Sequence, residues 1–135
     1  MPDATPTERL VLQRIRNRMI ETLEMLASFE EQRAYEKQVA IVNVPYELIN
    51  SWEDCMDGPS PSHFIDPVFT NEERSAITAF HSEWDLAASA LPDKNAPLSV
   101  VQAAPYWNRL RDASAKALVT FQKRGRLSEE VAIAE

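Results

Sequence analysis

Apolar residues recur at intervals of three and four at Leu12, Ile15, Met19, Leu23 and Leu26, the spacing that gathers side chains on one face of a helix. Thr5, Pro6 and Glu8 mark its start, because the Thr5 hydroxyl and the Glu8 carboxylate can satisfy each other's backbone donors while Pro6 gives up none. Beyond Phe29, the stretch from Glu30 to Gln38 is polar on nearly every side. The reading favours continuation of the first helix through it as a solvated rod, the alternative being a break before Val39. Pro45 excludes Val44 from helical geometry and opens a second, short helix, with Leu48, Ile49, Trp52, Cys55 and Met56 on its apolar side.

The segment from Asp57 to Phe69 holds Gly58, Pro59, Pro61 and Pro67, which forbids regular helix and predicts a long loop. Phe64, Ile65, Val68 and Phe69 are expected to plug the end of the core from that loop. Thr70 and Glu73 form a second capping box, and Ile77, Phe80, Trp84, Ala87 or Ala88, and Leu91 continue the third helix to Pro92. A single helical turn is expected at Leu98 to Ala103. A fourth helix starts at Pro105, with Trp107, Leu110, Ser114, Ala117, Leu118 and Phe121 as its stripe, and ends before Gly125. The predicted fold is therefore all-α, an antiparallel four-helix bundle-like domain with a long proline-rich loop between helices 2 and 3.

A length of 135 residues suits one domain, read as spanning 1–135 with flexible tails at 1–5 and 127–135. The chain is 44% hydrophobic and 26% charged, enough for a core and for solubility. No apolar run reaches the length of a membrane span, and residues 1–8 lack the basic and then greasy order of a signal peptide, so no membrane association and a cytoplasmic location are expected. Two glycines are too few for a phosphate-cradling loop. The lone Cys55 forms no internal disulfide and reads as a small apolar residue.

Candidate chemistry is sparse. His81 and Asp85 lie four apart and share a helix face, an arrangement that can orient an imidazole, but His81 also borders the apolar stripe, and packing is the favoured role. No Glu-x-x-His occurs, and the other histidine, His63, lies in the loop, so neither a metal site nor a cofactor is expected. Ser60 and Ser62 flank Pro61 beside His63 without the Gly-x-Ser-x-Gly elbow, which reads as turn chemistry. The chain is not expected to be an enzyme.

Charge stands out from this background. The net charge is −7, and residues 43–95 hold ten acids against two bases, whereas residues 96–126 hold six bases against Asp112. Nucleic acid is a disfavoured partner for so acidic a chain. The leading expectation is a non-catalytic protein–protein interaction or inhibitor protein, immunity- or antitoxin-like, acting through an acidic central surface with Glu53, Asp54, Glu72 and Glu73. One alternative is a small-molecule-binding or enzymatic bundle with a pocket lined by Trp52, His81, Trp84 and Trp107. Another is a homo-oligomer, a homodimer in its simplest form, paired through the first helix.

Overall fold

The computed structural model describes residues 5–39, 41–57, 64–92 and 96–134. They form six helices and, among the described residues, no strand: α1 (Pro6–Leu26), α2 (Phe29–Gln38), α3 (Val44–Asp57), α4 (Asn71–Ala90), α5 (Leu98–Ala103) and α6 (Pro105–Gln122). The all-α expectation holds, with six elements in place of four. Of the expected proline-rich loop, Gly58, Pro59, Ser60, Pro61, Ser62 and His63 lie outside the described residues. Its end is described, and there Phe64, Val68 and Phe69 are buried as expected while Ile65 is half-exposed.

Both predicted capping boxes form. The Thr5 hydroxyl accepts from the Glu8 N–H at 3.1 Å and the Glu8 carboxylate from the Thr5 N–H at 3.0 Å, and Thr70 and Glu73 repeat the exchange at 3.1 Å each way. The first helix does not continue through the polar stretch. Ala27 ends α1, and Ser28, in extended geometry, caps α2 by accepting from the Glu31 N–H. The break is closed by Gln32, fully buried, whose amide turns back to donate to the carbonyls of Met25 at 3.0 Å and Leu26 at 3.3 Å. In a continuous helix those carbonyls would accept from the N–H groups of residues 29 and 30; at the break they lose these partners, and the Gln32 amide takes their place inside the protein. Val44 is likewise helical, contrary to expectation. The Asn43 side chain accepts from the Tyr46 N–H, so Pro45 occupies the second helical position, where it also costs no hydrogen bond.

Residues Leu12, Ile15, Met19, Leu23 and Leu26 of α1 pack with the apolar stripes of α3, α4 and α6 into one core. α6 runs antiparallel to α4, since Glu72 meets Lys123 and Glu83 meets Arg109. It also runs antiparallel to α1, whose Arg16 reaches Phe121 while Gln32 of α2, bonded to the Leu26 carbonyl that ends α1, reaches Trp107. Unlike a surface helix, α1 is buried on its polar flank too, at Gln13, Arg16, Asn17 and Thr22.

The C-terminal segment covers that flank. Residues 127–133 form a strap, bent at 129–131, that is held by two side-chain amides of α1. Asn17 donates to the Leu127 carbonyl at 2.8 Å and accepts from its N–H at 3.0 Å. Gln13 donates to the carbonyls of Ser128 and Val131 and accepts from the Ile133 N–H at 2.7 Å. Backbone groups outside any helix here find their partners on the side chains of α1. Gln13→Leu should free the strap, costing about 1–3 kcal/mol for the orphaned backbone groups and accelerating amide exchange at Ile133. Unchanged exchange there would show that the strap is held by other contacts.

Candidate functional site

α4 carries three different surfaces, fixed by its 100° step per residue. Its inward face buries Glu73, Ile77, Phe80, Trp84 and Ala87. One flank, around His81, turns to α3. The opposite flank, with Glu72, Ala76, Ala79 and Glu83, turns to α6.

Glu73 sits inside, 1% exposed, and so is corrected from its expected place on an acidic surface. Arg16, wholly buried, donates to its carboxylate from Nη2 at 2.8 Å and from Nε at 3.3 Å. Arg124 donates to both carboxylate oxygens, at 2.6 and 3.2 Å. The two guanidiniums are themselves shared: Arg16 donates to the carbonyls of Gly125 and Phe121 at the negative end of α6, and Arg124 to those of Pro67 and Val68. Arg16 also lies over the Phe121 ring, 5.1 Å from its centroid. Burial pushes the Glu73 carboxyl pKa up, but the hydrogen bonds from Arg16, Arg124 and the Thr70 N–H, with the charge of Arg16, outweigh it and hold the pKa below its ordinary value. With every group engaged, this knot ties α1, α4, α6 and the 64–69 segment together and leaves no side chain free to react.

The three tryptophans are buried, and each has a different hydrogen-bond acceptor. Trp52 is fully buried, donates to His81 Nδ1 at 3.2 Å and meets the Phe80 ring edge-on at 4.5 Å. His81 stacks on Trp84 at 5.0 Å, and Trp84 donates to the Ile49 carbonyl. Trp107, in the same core, donates to Gln32 Oε1 at 3.0 Å. Each indole N–H thus has its acceptor, and the half-buried His81 serves as one of them. Its Nδ1 is the acceptor and its Nε2 therefore carries the proton in the neutral ring. Asp85 is exposed and is not among the hydrogen-bonding partners of His81. Burial pushes the Cys55 thiol up to about 11, which keeps it protonated and unreactive at neutral pH. Among the described residues, no three His, Cys, Asp or Glu side chains converge to hold a metal ion.

The open concavity lies instead between α4 and α6. This groove of about 780 Å³ is floored by Ala76, Ala79, Phe80, Ala113 and Ala117. Its α4 rim carries Glu72 and Glu83, and its α6 rim Arg109, Lys116 and Asp112. Sequence reading missed the groove, because alanines at helical spacing look like ordinary core. The signal was that Ala79 and Ala113 fall outside the large-residue stripes, where small side chains leave space between two backbones.

The charge reversal along the sequence is partly spent across this seam. Lys123 bonds Glu72 at 2.6 Å and Arg109 bonds Glu83 at 3.2 Å; these are exposed pairs, worth at most about 1 kcal/mol each. Glu53 and Asp54 are exposed on α3 and take part in no ion pair among the described residues. They stand on a different helix from Glu72, which faces α6. No described helix is long and apolar enough to cross a membrane. Compared with protein-family models, curated protein sequences and solved structures, the chain matches none of them.

Proposed function

We propose that this chain is a non-catalytic interaction protein of the cytoplasm, an inhibitor of the immunity or antitoxin kind being one form, and that it binds its partner along the groove between α4 and α6. In this reading α1, α3, α4 and α6 act as a four-helix bundle, with α2 and α5 as end pieces. The observation that carries the proposal is the groove itself: an alanine floor that lets another backbone come close, bounded by rims of opposite sign that would orient what enters. Glu72 is the one of the four expected acids that borders it. Glu53 and Asp54 form a separate acidic edge on α3 that can contribute only to a second contact.

A ligand pocket among the tryptophans has less support, since Trp52 and Trp107 are buried at 0% and 1% exposure and their N–H groups are committed.

A photo-crosslinking residue at position 79 tests the proposal. It is expected to trap discrete protein adducts in cells, adducts that vanish when Ala113→Arg fills the groove and that a crosslinker at Glu36 on α2 does not give. Equal trapping from both positions, or none from position 79, overturns the reading.

A further inference from the structure

We infer that the groove between α4 and α6 is a self-association surface, and that its occupant is a second copy of this chain bound about a two-fold axis parallel to the helices. This rests on the groove being an interaction surface, and it names the partner.

The argument starts from charge. Because α4 and α6 are antiparallel, their rims are aligned level by level: Glu72 stands opposite Lys123 and Glu83 opposite Arg109. The α4 rim is acidic throughout, and the α6 rim carries the bases Arg109 and Lys116 with Lys123 beyond them, Asp112 being its one acid among the lining residues. Two copies meeting face to face have two regular choices of symmetry axis in the interface plane. An axis perpendicular to the helices sets α4 on α4 and α6 on α6, acid against acid and base against base. An axis parallel to them sets α4 of each copy over α6 of the other at the same level. Glu72 then meets Lys123 of the second copy, and Glu83 meets Arg109 of the second copy, while each keeps its own partner. The four charges at each level form a ring of alternating sign, so the surface is complementary to itself in only this arrangement.

Apolar exposure agrees. Leu86 on α4 and Val119 on α6 are 56% and 63% exposed, and both lie on the outward side of this helix pair, one toward each end. Helical spacing puts Leu86 seven residues after Ala79, and Val119 three after Lys116. By contrast α1, the expected pairing helix, packs on α3, α6 and the strap and leaves only Val11 among its large apolar side chains exposed. The face is modest. Eighteen residues of α6 span about 27 Å, and two helices about 9 Å apart make a footprint at the low end for specific association. The dimer is therefore weak, reversible and sensitive to salt.

Two charge variants give the test. In the first, Glu72→Lys with Glu83→Arg makes both rims basic. In the second, Arg109→Glu with Lys123→Glu makes both acidic. Light scattering of the wild type at about 0.1–1 mM protein is expected to approach twice the 15.3 kDa chain mass at low salt and to fall back toward it in about 1 M salt. Each variant alone is expected to stay monomeric, and an equimolar mixture to recover the doubled mass as a heterodimer. A monomeric wild type, a dimer that persists in both variants, or variants that fail to combine would each overturn the inference. Circular dichroism checks that the variants fold. Should one not fold, the exposed substitution Leu86→Asp is expected to abolish the dimer, and a dimer that survives it overturns the inference. Crosslinks from position 79 to other proteins, with a monomeric wild type, would sink the self-association while leaving the interaction reading intact.

Discussion

Glu73→Gln is expected to destabilise the chain by about 3–5 kcal/mol, because it strips the only carboxylate from a guanidinium that has no water to turn to. Glutamine keeps the length and can still cap α4, so the loss isolates the charge. At roughly 4 °C per kcal/mol, the melting temperature falls by about 12–20 °C. The exposed neighbour Glu72, paired with Lys123, provides the contrast: Glu72→Gln should cost less than about 1 kcal/mol. Urea unfolding of the two variants checks both values, and similar losses would mean that the buried knot contributes no more than a surface pair.

The same carboxylate sets the acid limit. Its pKa is held below the ordinary range in the folded chain, so the unfolded state binds the proton first and the stabilisation is complete at neutral pH. It drains away as pH falls below the usual carboxylate range and through the lowered folded-state value. Wild-type stability should therefore drop toward acid more steeply than that of Glu73→Gln.

Gln32→Leu is the second large effect. The substitution conserves volume, yet it removes at once the acceptor of the Trp107 and Gln102 donors and the donor to the Met25 and Leu26 carbonyls. Leaving several buried polar groups unpartnered should cost about 2–4 kcal/mol. Thermal unfolding followed by tryptophan fluorescence measures it, with the emission altered before unfolding because Trp107 has lost its partner. A loss below about 1 kcal/mol would mean that these groups find other partners when α2 shifts.

Stripe positions and capping boxes made the start of α1 and both ends of α3, α4 and α6 legible within a residue or two, because one-sided burial leaves its period in the sequence. The same patterns held the clue to the buried knot. Arg16 lies four residues after Leu12 and three before Met19, and Glu73 four before Ile77, so a guanidinium and a carboxylate both occupy core positions. Reading Glu73 as a cap and as a surface acid overlooked that one side chain can cap a helix and be buried. The break at Ala27 was not legible, since it depends on Gln32 folding back onto carbonyls that a sequence does not display. The strap was hidden for a related reason. Gln13 and Asn17 form a polar flank that looks solvent-facing until residues 127–133 lie across it. The tryptophans were rightly assigned to the interior, but spacing on separate helices could not say that their N–H groups would find three different acceptors, His81, the Ile49 carbonyl and Gln32.

The strap also constrains how the chain comes into being. The partners of α1 arrive late in synthesis: Arg16 waits for Glu73, Phe121 and Gly125, and Gln13 and Asn17 wait for residues 127–133. Contacts across more than 100 residues close slowly, so the helix made first is among the last to be enclosed. On the ribosome, α1 must wait with its polar flank in water until residues 121–133 have cleared the exit. Polypeptides that stop short of that point would leave Arg16 and its neighbours unsheltered, open to proteases and chaperones while the full-length chain is not.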